Sequence, residues 1–272
     1  AIPWKNYKSK SGGAQHFSQL VCALSEAKGM TKTMKDIMDL HTHTVASGHA
    51  YNTIYEMARS ASDRGLDLLG ITDHGPAMKS GVPANYFNNF KMLPRELYGI
   101  KVIFGCELNI LDYDGTIDLT QAMLEKQDLT VASIHKPLYT IGSAAQNTNA
   151  YIKAMQNPHI QIIGHPDDKD IPVDYEELVC AAKEYHVLLE VNSESLNPRS
   201  ARYEGAAANN IKMLEYCKKY GVSIVLDSDA HCEVDVGNHV RSIALLESID
   251  FPETLVVNRS IEAVSKYITL PE

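Results

Sequence analysis

The chain has 272 residues, 44% hydrophobic and 22% charged, with a formal net charge of −9. That length suits one large domain of a globular soluble protein, and no apolar stretch approaches the roughly 20 residues that span a bilayer. The acidic balance argues against non-specific nucleic-acid binding, which needs a basic surface, but leaves room for an anionic substrate at a locally cationic metal site.

Residues 1–35 read as an N-terminal extension of unassigned role: SKSGG is linker-like, and HFSQLVCALSEA (residues 16–27) is a candidate amphipathic helix. No basic region followed by an apolar core marks a secretory signal. From residue 36 to 272 the chain reads as one catalytic domain. Strands are predicted near 37–42, 66–72, 101–108, 129–134, 160–164, 187–192 and 222–228. Helices are predicted near 51–64, 83–98, 145–156, 174–186, 204–220, 240–247 and 258–268. Glycines after Arg64 and Tyr220 mark helix ends. Strand followed by helix, seven times over, predicts parallel strands with helical crossovers, either as a closed barrel or as an open doubly wound sheet. In both, function gathers at the carboxyl ends of strands, but only a barrel turns all of those ends toward one cup. Six of the seven strands end in a candidate ligand, so the barrel is the better reading.

Those ligands are His41 and His43 from DLHTHT, and His49 after a short loop. His74 follows in ITDHG, Glu107 in FGCELN, His135 in ASIHKP and His165 in IIGHP, with Asp229 and His231 in LDSDAH. Side chains two apart on a strand share a face, which aligns Asp39, His41 and His43 on the first strand and Asp227, Asp229 and His231 on the last. If the barrel closes, these two strands are neighbours, and His41, His43 and Asp229 converge with Glu107. His135 and His165 then join Glu107 at a second ion, and His49, His74 and His231 form a third set. An isolated HxH or GHP carries little; the joint placement is what chance does not supply. His16, His159, His186 and His239 lie away from strand ends and read as structural or solvated.

Imidazole with carboxylate, and no assigned thiolate, suits zinc, manganese or iron. Three divalent ions would outweigh the two carboxylates and make a cationic cup that attracts phosphate and acidifies a bridging water to hydroxide. No Ser, Cys or Asp nucleophile is then required. Glu107 as the bridging carboxylate and Asp229 as a leaving-group acid are the candidate catalytic residues, a metal-bound water being the alternative acid. Arg199 and Arg202, after the sixth strand, either bind substrate phosphate or are solvated charges. Asp39 and Asp227 either orient imidazoles through their free N–H or sit as satisfied carboxylates beneath the cup. The five cysteines, odd in number and without a CxxC pair, suit a reduced cytoplasmic protein, with Cys106 and Cys232 read as packing.

DLHTHTVASGHAY, GITDHGP, the Glu107 strand, SIHKP, IIGHP, LEVNS and DSDAH, in this order over about residues 36–255, resemble the PHP (polymerase and histidinol phosphatase) superfamily, and within it the bacterial YcdX-type phosphatases. The resemblance implies an α/β fold, a distorted seven-stranded (β/α)7 barrel, with a trinuclear zinc-like site. It implies the same grouping: His41, His43, Glu107 and Asp229; then Glu107, His135 and His165; then His49, His74 and His231. Lys136 stands where a YcdX-type protein carries an acidic residue, a point at which substrate choice could differ. The expected function is a metal-dependent phosphatase acting on small phosphate monoesters, with three divalent ions, zinc foremost. The expected partner is a small phosphorylated substrate, with neither nucleic acid nor membrane. A phosphodiesterase or nuclease, and a non-catalytic metal-binding regulatory module, are the competing readings.

Overall fold

Apolar strands followed by amphipathic helices can bury both faces only in a sheet covered by those helices. The computed structural model describes residues 34–271. Its strands are β1 (Met38–Asp39), β2 (Leu68–Ile71), β3 (Glu96–Leu97), β4 (Ile100–Asn109), β5 (Leu129–Ser133), β6 (Ile162–Ile163), β7 (Leu188–Asn192) and β8 (Ile224–Asp227). The helices are α1 (Ile54–Asp63), α2 (Gln121–Leu124), α3 (Ala144–Met155), α4 (Tyr175–Tyr185), α5 (Tyr203–Tyr220), α6 (Val240–Ser248) and α7 (Ile261–Val264). The order β1-β2-β4-β5-β6-β7-β8 follows the chain, all pairs parallel, with β3 antiparallel on β4. All seven predicted strands are present, and the sheet curls into a nearly closed barrel with helices between its strands.

Local chemistry accounts for the helix ends. Thr53 and Glu56 form a reciprocal cap on α1, and Ser143 and Gln146 do the same on α3. Gly221 ends α5 in the left-handed conformation at φ 68°. The predicted helix at 83–98 is instead a 3-10 segment, Ala84–Met92. Its paired asparagines favour helix weakly, and Pro94 forbids continuation. Beyond it, Tyr98 and Gly99, both at positive φ, turn the chain so that β3 folds back on β4. The predicted helix at 258–268 breaks into Val257–Arg259 and α7, because Ser260 leaves the helical region to cap the second piece. The short α2 had no signal in the sequence.

Below the cup, Met38, Leu68, Ile103, Val131, Ile162 and Val225 pack into one buried apolar layer that fills the barrel. Strand β4 pairs with β2 through Phe104 and with β5 from Gly105 onward. A Cβ on Gly105 would lie 1.8 Å from the Leu129 carbonyl oxygen, so only glycine permits this close approach of β4 to β5.

The barrel is distorted at its last seam. Strands β1 and β8 share no regular ladder; side chains stitch them. Asn258 donates to the carbonyls of Met38 (3.1 Å) and Leu226 (2.7 Å) and accepts from Leu226 N–H (2.8 Å). Asp227 accepts from Leu40 N–H (2.7 Å), and Asp39 from Ser228 N–H (3.1 Å). Only above this point does backbone meet backbone, with Asp229 N–H donating to His41 and His43 N–H to Ala230. His239 is buried against Asp36 and Asp39 at the same seam. Burial alone would depress its pKa, but the two carboxylates hold it well above 6.5.

Two outcomes follow from the seam. Asn258→Ala orphans three buried backbone groups and should cost about 3 kcal/mol or more in urea unfolding. His239→Gln should cost about 3 kcal/mol by breaking a buried ion pair. Because the folded-state pKa of His239 is raised, its stabilisation is complete below about pH 6.5 and is lost as pH climbs through the raised value. The gap between wild type and variant in unfolding midpoint should therefore be widest near pH 6 and narrow on going alkaline.

Candidate metal centre

The carboxyl ends of the strands deliver all nine predicted donors into one cup. Glu107, at the top of β4 and fully buried, is its hub. Its Oε1 lies 2.9 Å from His165 Nε2, 3.1 Å from His135 Nε2 and 3.4 Å from His41 Nε2. Its Oε2 lies 2.6 Å from His74 Nδ1 and 3.6 Å from His43 Nε2. Asp229 Oδ1 faces His43 Nε2 at 3.1 Å and His41 Nε2 at 3.8 Å. His49 Nε2 faces His231 Nε2 at 3.0 Å and His74 Nε2 at 3.3 Å. The grouping expected for a third ion is thus brought together, although His74 also faces Glu107. Three overlapping sets have donor atoms within 4.8 Å of one another: His41–His43–Glu107, His74–Glu107–His135 and His43–His74–His231.

The backbone bends to achieve this. His165 (φ 28°) and Asp229 (φ 54°) are both left-handed without being glycine, a strain of about 1–3 kcal/mol each. Two of the nine donors are therefore held in the cup against local preference.

The hydrogen-bond partners assign the imidazole tautomers. His41 Nδ1 donates to Glu190 (2.7 Å), His43 Nδ1 to Ser47 Oγ (2.9 Å) and His135 Nδ1 to Asn109 Oδ1 (2.7 Å). His49 Nδ1 donates to the Ser47 carbonyl (3.0 Å) and His231 Nδ1 to the Asp229 carbonyl (2.9 Å). Ser47 Oγ can accept because its own proton goes to Asp73 (2.7 Å). In neutral imidazole the second nitrogen is then a bare lone pair. Five lone pairs consequently point inward, and two pairs of them, His41–His43 and His49–His231, stand only 3.1 and 3.0 Å apart. Acceptor against acceptor is repulsive unless a cation lies between. Glu107 Oε2 and His74 Nδ1 are near one another yet misaligned, and both are buried without a hydrogen-bond partner. Orphaned atoms and opposed lone pairs fit a set of divalent cations, and N/O donors without sulfur suit zinc, manganese or iron.

Electrostatics agree with ligand forms at His43, Glu107 and Asp229, whereas His41 favours a proton that a cation would displace. Burial, with His231 and His74 beside it, pushes the His43 pKa well below its usual value. Burial would raise the Glu107 and Asp229 carboxyls, but the surrounding imidazoles, with Arg202 beside Asp229, hold both well below the usual range. Burial would depress His41, but Glu190, Glu107 and Asp229 raise it strongly. That proton affinity measures how much positive charge the pocket demands.

Of the two arginines, Arg202 enters the cup: Nη2 pairs with Asp229 Oδ2 (2.6 Å), and Nε donates to Ser195 Oγ (2.9 Å). Arg199 lines the adjoining cavity of about 450 Å³ with Tyr51, Glu194 and Asn197. Asp229 is salt-bridged to Arg202 and its carboxyl is held well below the usual range, which disfavours it as a leaving-group acid. Asp39 and Asp227 bind seam groups rather than ligand imidazoles; they are the carboxylates beneath the cup. Lys136 is drawn to Asp168 (3.0 Å) and Asp170 (2.8 Å), so its charge ties two loops together. The four described cysteines are free, and burial pushes the Cys106 thiol up, as packing requires. His159, His186 and His239 take no part in the cup, while His16 lies outside the described residues.

Sequence reading missed the groups that hold the ligands: Glu190, Ser47, Asp73, Asn109 and Ser195. Glu190 alone carried a signal, as a lone acid inside the apolar run VLLEVN.

A cup of imidazole and carboxylate donors at the mouth of a β/α barrel is the class of site defined here. The PHP domain family matches residues 39–227, and the chain belongs to that family. A probable phosphatase of Clostridium novyi is 42% identical over 235 residues, 86% of this chain and 95% of that protein. A probable phosphatase of Acetivibrio thermocellus is 40% identical over 235 residues, 86% and 96% of the two chains. The fold resembles a histidinol phosphate phosphatase from Lactococcus lactis solved with zinc, L-histidinol and phosphate. The TM-score is 0.55 at 16% identity, covering 80% of this chain and 95% of that one. No helix among the described residues is long and apolar enough to cross a membrane.

Cations that relieve opposed lone pairs bind the folded state alone. Zn²⁺ should therefore raise the thermal midpoint of chelator-treated protein, by about 4 kcal/mol in stability at a thousandfold excess over Kd. Glu107→Gln should lose most of that increment. A midpoint indifferent to Zn²⁺, Mn²⁺ and Fe²⁺ contradicts the fit.

Proposed function

We propose that this protein is a metal-dependent phosphatase that hydrolyses small phosphate monoesters at a centre of three divalent ions, zinc foremost. The observation that carries the reading is the inward convergence of five tautomer-locked imidazoles on Glu107 and Asp229, with Arg202 reaching into the same cup. Membership of the PHP family and the probable-phosphatase relatives support it. The donor set His41, His43, His49, His74, Glu107, His135, His165, Asp229 and His231 would hold the ions.

When bound there, divalent ions act as Lewis acids toward phosphoryl oxygens and acidify water. The chain's own residues supply position and charge. Glu107, with imidazoles against both oxygens, would offer a carboxylate oxygen to each of two donor groups. Arg202 is anchored by Ser195, whose hydroxyl in turn donates to buried Asp167 (3.0 Å), so the guanidinium is fixed before substrate arrives. A planar donor fork held in this way suits phosphoryl oxygens. Tyr51, Asn197 and Arg199 line the space beside the cup, where the leaving group of a small ester would sit. The net charge of −9 disfavours a polyanionic nucleic-acid substrate.

The test is phosphate release from p-nitrophenyl phosphate and from its bis ester, before and after chelation. Chelation should reduce monoester turnover by about 100-fold or more, and Zn²⁺ or Mn²⁺ should restore it. Full turnover by metal-free protein refutes the reading; faster cleavage of the diester moves it to a phosphodiesterase.

A further inference from the structure

Strand β7 is the barrel strand whose end brings no predicted metal donor, yet it sends an acid among the ligands. Glu190 is fully buried, two residues before Asn192 on the same face of β7. Its Oε1 lies 2.7 Å from His41 Nδ1. Its Oε2 accepts from the backbone N–H of His165 (2.5 Å) and from Asn192 Nδ2 (3.1 Å). An ionised carboxylate can satisfy all three donors, because each oxygen carries two lone pairs. An amide of the same shape cannot, since its NH₂ would face one of the N–H groups.

The two histidines need different things from it. His41 needs its proton on Nδ1, so that Nε2 is bare toward His43 and Glu107. His165 needs its backbone held, because a non-glycine residue resists φ 28°. Their imidazoles belong to different donor groups that meet at one oxygen of Glu107: His41 stands with His43 and Asp229, and His165 with His135. One carboxylate therefore has an oxygen on a member of each group.

The geometry points to Glu190 as a positioning residue that ties two metal-ligating histidines together and so couples the loading of the two ion positions they serve. This rests on the metal-centre reading proposed above. An ion held by His41 Nε2 would strengthen the Nδ1–H bond to Oε1. That fixes the carboxylate, and with it the N–H of His165. Loading at the second position then needs less ordering of the chain.

The experiment uses the full chain, chelated and then titrated with Zn²⁺ against a competing chelator, for wild type, Glu190→Gln and Glu190→Asp. Thermal midpoints are taken with and without Zn²⁺, and Co²⁺ absorption spectra are recorded. Glu190→Gln should bind the ions of two positions about 10–100-fold more weakly, lose the steepness of joint loading and shift the Co²⁺ bands. Glu190→Asp keeps the charge but reaches only one partner, and should fall between the other two. If Glu190→Gln takes Zn²⁺ with wild-type affinity, steepness and Co²⁺ spectrum, and only its metal-free midpoint drops, the role is merely structural and the proposal is overturned. Should that variant not fold, wild-type Zn²⁺ affinity in Glu190→Asp overturns it equally. Wild-type protein that binds no Zn²⁺ instead refutes the metal centre itself.

Discussion

Five imidazole lone pairs facing inward at hydrogen-bond distances, with a carboxylate at their centre, are the constraint on which the rest of the structure depends. Acceptors packed against acceptors raise the free energy of the protein alone, most of all at buried His43, whereas His49 and His231 stand at the exposed rim of the cup. The fold holds them there through Nδ1–H bonds to Glu190, Ser47, Asn109 and two backbone carbonyls. Those outer bonds turn five imidazoles into a set of fixed ligand directions. The same repulsion makes the cup a strong attractor for divalent cations, and through them for phosphate.

The barrel accommodates this cup by giving up regularity around it. Strands β1 and β6 contribute only two residues each to the ladder, because the chain beyond them turns to aim ligands. His165 and Asp229 adopt left-handed backbone, and Asn258 takes the place of a missing ladder between β1 and β8. The apolar layer beneath supplies the stability that such irregular ends forgo. Strain collects where the chemistry is, and the hydrocarbon that offsets it lies one layer below.

Acidic overall, the molecule is also cation-demanding within. Among the described residues eight acids but no lysine or arginine are buried, and of these Glu107, Asp229 and Glu190 act over short distances in a cup where screening by salt is weak. Arg202, tethered to Asp229 and braced through Ser195, adds a fixed positive charge at the boundary between the cup and the cavity beside it.

The sequence by itself determined the alternation of strand and helix, the number of barrel strands and the nine side chains that meet in the cup. Each of these is encoded locally: period-two placement at a strand end aims a side chain whatever the distant chain does. It could not show that Glu190 orients His41 across 149 positions, that Asn258 replaces a strand ladder, or that Asp39 and Asp227 serve the seam. Nor could it show that Asp229 is paired with Arg202. The tertiary structure decided those points, because a hydrogen-bond partner is chosen by barrel closure. Which acceptor each Nδ1–H finds depends on residues far apart in the chain and adjacent only in the folded protein.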